Sequence, residues 1–471
     1  MTHDCSFLSS LALADDQVSF LDATRESHAS DWGTPEGAEV VPDAVVFPES
    51  TEDVSAVLEA ATANDVPVTP YAAGTSLEGN AVPAHAGISL DVTRMDAVLD
   101  VRPEDFQLDV QAGVMGSAIE ETAGEAGLFF PPLPSSGEFS TIGGMLANGA
   151  SGMQTVRYGE VADWVLEVEA VLADGSVVSA GSKAVKTSAG YNLRDLFVGS
   201  EGTLAVITEA TLRLAGRPEQ IRGGRALFQT LDDATAAVQD AVQSGVDLAK
   251  IELLDEDSAT MANAYSGTDL PDCPMVFLEF HANHGIEREV EFCESIFEAH
   301  GVTRLEVARP DEGMDELWQA RKDMAYAMQA YDPDLRPLKP GDVTVPISDY
   351  GDVVRNAKTV ATEYDVLIPC FGHAGDGNVH YSVLVDADDE DAEERGRRAN
   401  EAIVEFAIDR GGTCTGEHGI GLGKREFLVR EHGEATVEAM RKVKRALDPT
   451  DTLNPGKLFP ETIGGKRVRD E

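Results

Sequence analysis

Residues 371–385 read FGHAGDGNVHYSVLV, with two histidines, an aspartate, an asparagine and three glycines in the first ten positions. His373 and His380 stand seven apart, and Glu417 beside His418 follows in the glycine-rich stretch TCTGEHGIGLGKREF. Two imidazoles and one carboxylate form a common ligand set for a divalent ion that keeps positions open for a substrate. The plainer reading is three of ten ordinary histidines and a loop glutamate. The glycines favour the site: GHAGDGN and GEHGIGLG forgo side-chain packing in two loops, which a mere connection need not do.

The elements around these residues must bring them together. From about residue 221 the pattern reads as strand 221–228, helix 232–244, strand 249–254, strand 275–281, helix 286–300 and strand 302–308. That βαββαβ order is the ferredoxin-like split pattern. A helix around 311–330, strand 342–346, helix 348–364, the histidine-bearing strand and an acidic helix over 388–410 follow. A basic helix over 433–447 precedes LDPTDTLNPGKLF. The first half is α+β and dense in turns. AVVFPES reads as a strand, and Ser50 with Asp53 caps a helix whose apolar face is Val54, Val57, Leu58 and Ala61, ending at Asn64. GISLDV and FQLDVQAGV read as strands, Ser117 with Glu120 as a second capping box closed by Gly127, and LEVEAVLADGSVVSA as a hairpin turning at Asp174–Gly175. TLAVITEATLRLA is a strand pair or one long strand, and no internal repeat is apparent.

A chain of 471 residues exceeds one core and implies two or three domains. The expected division is a lead-in over 1–40, a first domain over 41–218, a second over 219–410, a returning segment over 411–460 and a tail over 461–471. Acids outnumber bases 84 to 36, for a net charge of −48. Such a surface repels nucleic acid and anionic membranes. The acids decorate helices between apolar runs, as in Asp388 to Glu394, rather than filling one tail, which suits a folded, salt-adapted surface. Molar salt, with a Debye length of about 3 Å, would screen the self-repulsion. The five cysteines are scattered without a CxxC, against a disulfide framework or an iron–sulfur cluster and for a reducing compartment. The N-terminus lacks a basic, apolar leader, and no spanning helix is expected. The expected location is cytoplasmic, with docking at the inner face of a membrane left open.

Three glycine-rich stretches mark the first half: PYAAGTSLEGN, SSGEFSTIGGMLANGASGMQTVRYG and GSEGTLAVIT. Glycines there let backbone amides approach a phosphate. Neither the dinucleotide fingerprint GxGxxG after a strand nor the P-loop pattern occurs. In order, and preceded by VVFPESTEDVSAVLEAA, the stretches resemble the FAD-binding domain of the vanillyl-alcohol-oxidase / p-cresol-methylhydroxylase superfamily. The resemblance implies a two-subdomain FAD-binding domain plus an α+β cap domain with a ferredoxin-like antiparallel sheet. It places Ala72, Ala73, Gly74, Thr75, Ser76 and Gly79 at the pyrophosphate, and Ser136, Thr141, Gly143, Gly144, Asn148 and Ser151 along the flavin and ribityl chain. Glu201, Gly202, Val206 and Ile207 would close over the adenine side or the ring. Some relatives attach flavin covalently through a histidine in the first loop; residues 71–75 here are Tyr, Ala, Ala, Gly and Thr, so non-covalent FAD is expected.

GHAGDGNVH, GEHGIG and LNPGKLF resemble the C-terminal half of the FAD-linked D-2-hydroxyacid dehydrogenases, which extends the likeness over residues 41–459. By that resemblance His373, His380 and Glu417 hold zinc or manganese, His418 is the base, and Arg321 in LWQARKDM pairs with the substrate carboxylate. Asn454 and Lys457 belong to the closing motif near the flavin. The plainer role for Arg321 is a surface ion pair with Asp315 or Glu316. Such a site is chemically coherent: an ion beside the hydroxyl lowers its pKa, and an imidazole, which titrates near about 6.5 when free, can accept the proton. Ala325 and Ser382 replace a threonine and an asparagine that the hydroxyglutarate enzymes carry, and Lys339 is offset by one residue from a substrate lysine. These departures disfavour a long diacid. The expectation is oxidation of a short D-2-hydroxy acid, D-lactate to pyruvate for preference, with electrons passing to an external acceptor and a homodimer compatible with the chain. The alternatives are a glycolate oxidase flavin subunit, a D-2-hydroxyglutarate dehydrogenase, a metal-dependent hydrolase, or a non-catalytic flavin-binding subunit.

Overall fold

The structure is a computed structural model that describes residues 2–308, 314–389 and 391–460, and the backbone alone of 462–463, 466–467 and Lys339. The expected tail thus lies outside the described residues, apart from the paired strands Thr462–Ile463 and Lys466–Arg467. The chain forms two compact units, one of Met1–Ser151, Glu160–Arg217 and Glu417–Glu471, the other of Gly152–Gly159 and Pro218–Gly416. Among the described residues no helix is long and apolar enough to cross a membrane.

The first unit carries two sheets. Strands β1 (Ala44–Val46), β2 (Val68–Tyr71) and β3 (Ile88–Asp91) form a parallel core in the order β1–β3–β2, edged by Val18–Ser19 running antiparallel to β1. Helix α1 (Thr51–Ala63) joins β1 to β2; the Ser50 hydroxyl accepts from the Asp53 amide at 3.2 Å, and Asn64 ends the helix. Its stripe of Val54, Val57, Leu58 and Ala61 is fully buried against Val46, Val68, Ile88 and Leu90. Each buried valine or leucine of that stripe stabilises by roughly 1.5–3 kcal/mol relative to exposure. The second sheet is antiparallel, in the order β4 (Val98–Arg102), β5 (Gln107–Gln111), β8 (Val206–Arg213), β6 (Val165–Val171) and β7 (Val177–Gly181), with the β6–β7 turn at Asp174–Gly175. The long-strand alternative for 203–215 therefore holds. Helix α2 (Gly116–Glu125) lacks the expected capping box: it starts at Gly116, whose amide donates to the Ser140 carbonyl, and Glu120 instead accepts from the Phe130 amide at 2.9 Å. Tertiary pairing at Met115–Thr141 sets that boundary, and Ser117 falls inside the first turn. Helix α3 (Ile142–Asn148) follows. The first forty residues are built into this unit, with Cys5 and Leu8 in its core.

The second unit is a seven-stranded antiparallel sheet. Its first part is β9 (Gln220–Leu227), α4 (Leu231–Gln243), β10 (Leu248–Leu254), α5 (Glu256–Ser266), β11 (Met275–Ala282), α6 (Ile286–Ala299) and β12 (Arg304–Ala308). Helix α5, between β10 and β11, has no counterpart in the pattern reading. The expected helix around 311–330 is two helices, α7 (Met314–Lys322) and α8 (Met324–Ala330), with 309–313 outside the described residues. Then come β13 (Leu335–Thr344), α9 (Tyr350–Tyr364), β14 (Cys370–His373), β15 (Asn378–Asp386) and α10 (Ala392–Ile408). The strand order is β12–β9–β11–β10–β14–β15–β13. The first four strands have the 4-1-3-2 order of the ferredoxin-like pattern. The last three repeat it as 2-3-1, and Thr413 bridges to Thr344 where a fourth strand would lie. The sheet is thus a duplicated topology joined edge to edge through β10 and β14, although the two halves share no sequence pattern. Helices α4, α6, α9 and α10 pack together in sequence α6–α4–α9–α10. The apolar cluster that contains Met314, Trp318, Met324 and Met328 packs on Phe277, Leu254, Phe371 and Leu384, so α7 and α8 cover the face that those four strand residues share.

Candidate active site

That face of the second unit also carries charge. Glu252 on β10 is the register partner of His373 on β14 and of Phe277 on β11, and His380 on β15 is the partner of Phe371 and of Asp342 on β13. Side chains at partnered positions share a face. A buried row of acids and histidines is therefore interleaved with the apolar cluster, which is uncommon in a core. The hairpin that bears the histidines turns through Ala374–Asp376 and Gly377. Gly377 has φ +83, and a Cβ there would lie 2.0 Å from the Val345 carbonyl oxygen, so only glycine fits this tight turn. Two positions beyond its neighbour in register, His373 reaches His380 diagonally: the ring centroids are 4.9 Å apart and the planes nearly perpendicular at 85°.

Each imidazole faces a carboxylate through Nδ1. His373 Nδ1 donates to Glu252 Oε1 at 2.6 Å, and His380 Nδ1 lies 3.7 Å from Asp342 Oδ1. Asp342 is in turn held by Asn378 Nδ2 at 2.7 Å and by Thr415 Oγ1 and the Gly416 amide at 2.8 Å. The carboxylate on His373 Nδ1 fixes the tautomer that leaves its Nε2 as a lone-pair donor, and His380 sets a second imidazole beside it, so this pair fits a divalent ion by the chemistry of its donors. Arg321, on α7, is only 3 % exposed. Its Nε donates to Glu252 Oε2 at 2.7 Å, and its guanidinium lies 4.6 Å over the Phe371 ring. Its observed acid partner is therefore Glu252 rather than Asp315 or Glu316. Burial alone would raise the Glu252 carboxyl; Arg321 and His373 outweigh it and hold the group below the usual carboxylate range.

In the first unit the glycine-rich loops are tied to one another. Residues 70–77 are partly exposed between buried flanks, with Gly74 and Gly79 at φ +66 and +75. Ala72 packs partly on the core of the unit, and the half-exposed glycine-bearing loop fits a phosphate-bearing ligand. Thr75 Oγ1 and Ser140 Oγ are 3.0 Å apart, and Ser140 Oγ donates to Ser136 Oγ at 3.0 Å. Thr141 Oγ1 accepts from the Gly144 amide, and a Cβ on Gly143 would meet that of Ala112 at 2.7 Å. Glu201 is buried and sits at φ +52; Asn80 Nδ2 donates to its Oε2 at 2.6 Å, the Ile420 amide to its Oε1 at 2.7 Å and the Gly421 amide to its Oε2 at 2.8 Å. Gly202 at φ +67 packs on Pro70, and Val206 and Ile207 are buried in β8. Asn454 Nδ2 donates to the carbonyls of Asn80 and Glu201, while Lys457 Nζ reaches the Asn80 and Val82 carbonyls and Asn454 Oδ1 at 3.0, 2.6 and 2.9 Å. Asn148 Nδ2 donates to the Glu417 carbonyl at 2.6 Å, and Ser151 Oγ to Glu417 Oε2 at 2.9 Å. Glu417 and His418 are partly exposed in this loop. Gly419 at φ +79 leaves no room for a Cβ, which would lie 2.8 Å from Asn148 Oδ1 and from Asn80 Nδ2.

A family model described as the FAD binding domain matches residues 42–181, and one described as FAD linked oxidases, C-terminal domain, matches residues 217–458. The chain belongs to the FAD linked oxidases. It is 37% identical over 452 residues to a probable mitochondrial D-lactate dehydrogenase of Danio rerio, covering 95% of this chain and 90% of the relative. It is 35% identical over 426 residues to the glycolate oxidase subunit GlcD of Bacillus subtilis, covering 89% of each chain. Among solved structures, p-cresol methylhydroxylase superposes with a TM-score of 0.78 at 16% identity, covering 98% of this chain and 96% of that one, which establishes a shared fold.

This FAD-linked oxidase holds its first loop with residues that carry no periodic signal. Asp31 Oδ2 accepts from Ser76 Oγ at 2.8 Å and from the Ala81 amide at 3.4 Å, while the Trp32 amide donates to the Gly74 carbonyl at 2.8 Å and the Gly33 amide to the Ser76 carbonyl at 3.0 Å. Glu252 and Asp342 were equally hidden: each is an acid at an alternate strand position, a pattern that reads as a solvent face. The signal that could have found Glu252 is the presence of Lys250 and Glu252 in a strand bounded by apolar runs. Hydrogen bonds to a charged acceptor are worth about 1.5–3 kcal/mol, so Asp31→Asn should weaken FAD binding by at least about tenfold, measured by titrating deflavinated protein with FAD. An unchanged affinity would show that the clamp is dispensable.

Proposed function

We propose that this oxidoreductase oxidises a short D-2-hydroxy acid, D-lactate to pyruvate, and passes the electrons to an external acceptor. When bound, FAD supplies the two-electron acceptor for the C2 hydrogen, and a zinc or manganese ion supplies positive charge beside the substrate hydroxyl. His373 and His380 hold that ion, with Glu417 as the third donor suggested by its motif. Arg321, kept in place by Glu252 and the Phe371 ring, pairs with the substrate carboxylate. His418 takes the hydroxyl proton, so that loss of the proton and of the C2 hydride leaves the keto acid. The observation that carries this reading is the buried pair of imidazoles, one hydrogen-bonded to Glu252 and the other 3.7 Å from Asp342, on the sheet of an FAD-linked oxidase. The names of the relatives support the substrate class, and so does the small buried Ser382 on the face that bears His380. Glycolate is the second reading, because the Bacillus subtilis relative is named for it.

Anaerobic bleaching of the oxidised flavin band tests this. D-lactate, L-lactate, glycolate and D-2-hydroxyglutarate are added separately to the protein in molar salt. D-lactate should bleach the band and L-lactate should not. Faster bleaching by glycolate would move the assignment to the second reading, and bound flavin unbleached by all four would overturn the substrate class.

A further inference from the structure

We infer that Glu252 is the positioning residue of the imidazole pair, aligning His373 and neutralising Arg321 through one carboxylate. This rests on the reading of His373 and His380 as metal ligands. Glu252 is fully buried on β10, at the joint between the two halves of the sheet, and its Cα partner across that joint is His373. Its two oxygens do different work: Oε1 accepts from His373 Nδ1 at 2.6 Å, and Oε2 accepts from Arg321 Nε at 2.7 Å, with Nη2 2.6 Å from the same oxygen. Donation of Nδ1–H to a carboxylate holds the ring in one tautomer and orientation and makes Nε2 a stronger donor.

The competing account is a buried ion pair kept for stability. It is weak here. Buried Arg–Glu pairs are often replaceable by apolar residues without loss, because desolvation offsets the attraction. The surroundings are already apolar, with Phe277, Trp318 and Phe371 in one cluster. The arrangement also extends past the pair: the guanidinium covers the Phe371 ring, and the same ring contacts His380 with centroids 5.5 Å apart. One carboxylate thus orients one histidine directly and, through Arg321 and Phe371, packs the wall behind the other.

The test measures zinc affinity by competition with a chromophoric chelator on the flavin-replete protein, with the flavin band read in the same sample. Glu252→Gln keeps the shape but strands the Arg321 charge, so the neutral double variant Glu252→Gln/Arg321→Met is measured beside it. Loss of an outer-shell partner typically weakens metal binding by about 10–100-fold, and that loss is expected in both variants, with flavin retained. A folded double variant that binds zinc within about threefold of wild type, well short of that range, would overturn the inference while leaving the metal reading standing. Wild-type protein that takes up neither zinc nor manganese would overturn both. If neither variant folds, Glu252 is a structural ion-pair residue and the positioning role is lost.

Discussion

His418→Ala should lower kcat by about 10²–10⁴-fold, the usual contribution of a positioned general base, while FAD stays bound. The retained flavin follows from how the loop is held. Glu417 is anchored through its carbonyl by Asn148 and through its carboxylate by Ser151, and the Ile420 and Gly421 amides are fixed on Glu201. None of these bonds uses the His418 ring, so truncation should remove the proposed proton acceptor and leave these anchors in place. Stopped-flow reduction of the flavin by D-lactate reads the chemical step directly. A rate within about tenfold of wild type, below the general-base range, would remove His418 from the reaction, and lost flavin would make its role structural.

Lys457 should give the largest pH effect on stability. Burial pulls its amine down to about 7, against the opposing pull of Glu201. Free lysine titrates near about 10.4, so between these values the unfolded chain binds a proton that the folded chain does not. The cost of burying the ammonium is full below pH 7 and fades as pH rises towards 10. Wild-type stability should therefore rise relative to Lys457→Met across that window, by up to about 1.4 kcal/mol per pH unit. The comparison cancels the titrating groups that do not interact with Lys457, and leaves Glu201 as its coupled neighbour. Denaturant unfolding of the two proteins at pH 7, 8 and 9 checks it; parallel curves would mean that Lys457 keeps its proton throughout. At neutral pH the methionine also leaves Asn454 Oδ1 without its Lys457 donor, worth about 1–3 kcal/mol when buried, whereas the Asn80 and Val82 carbonyls keep the Asn454 side chain and the Ala84 amide as donors.

Much of this architecture was legible because local rules and the fold agree. Ser50, Asn64, Gly127 and the Asp174–Gly175 turn stand where their backbone chemistry requires. The ferredoxin-like order followed from alternating periods of two and of 3.6. Helix α5 was missed although Asp255 caps it, with its side chain accepting from the Ser258 amide at 2.8 Å, and Gly267 closes it at φ +69. Its alanines and single methionine form too weak a stripe to read. Ser117 and Glu120 made a plausible cap that a tertiary contact overrode. The histidine hairpin was visible because glycines and imidazoles are conspicuous. Glu252, Asp342 and Asp31 were not, since an acid that supports a site looks the same in sequence as one that faces water. The duplicated half-sheet left no trace either, because topology constrains strand order and not side-chain identity.

The joint between β10 and β14 has a consequence in time as well as space. Glu252 and His373 are 121 residues apart, yet they meet only in one register of that pairing, and a slip of one residue would turn one of them to the opposite face. Each half of the sheet can close its own hairpins within a contiguous stretch of chain, whereas the joint needs both halves finished. Long-range pairings of this kind form late. The proposed ion site is thus completed at the end of assembly, and a chain stalled short of that step carries His373 without Glu252 behind it.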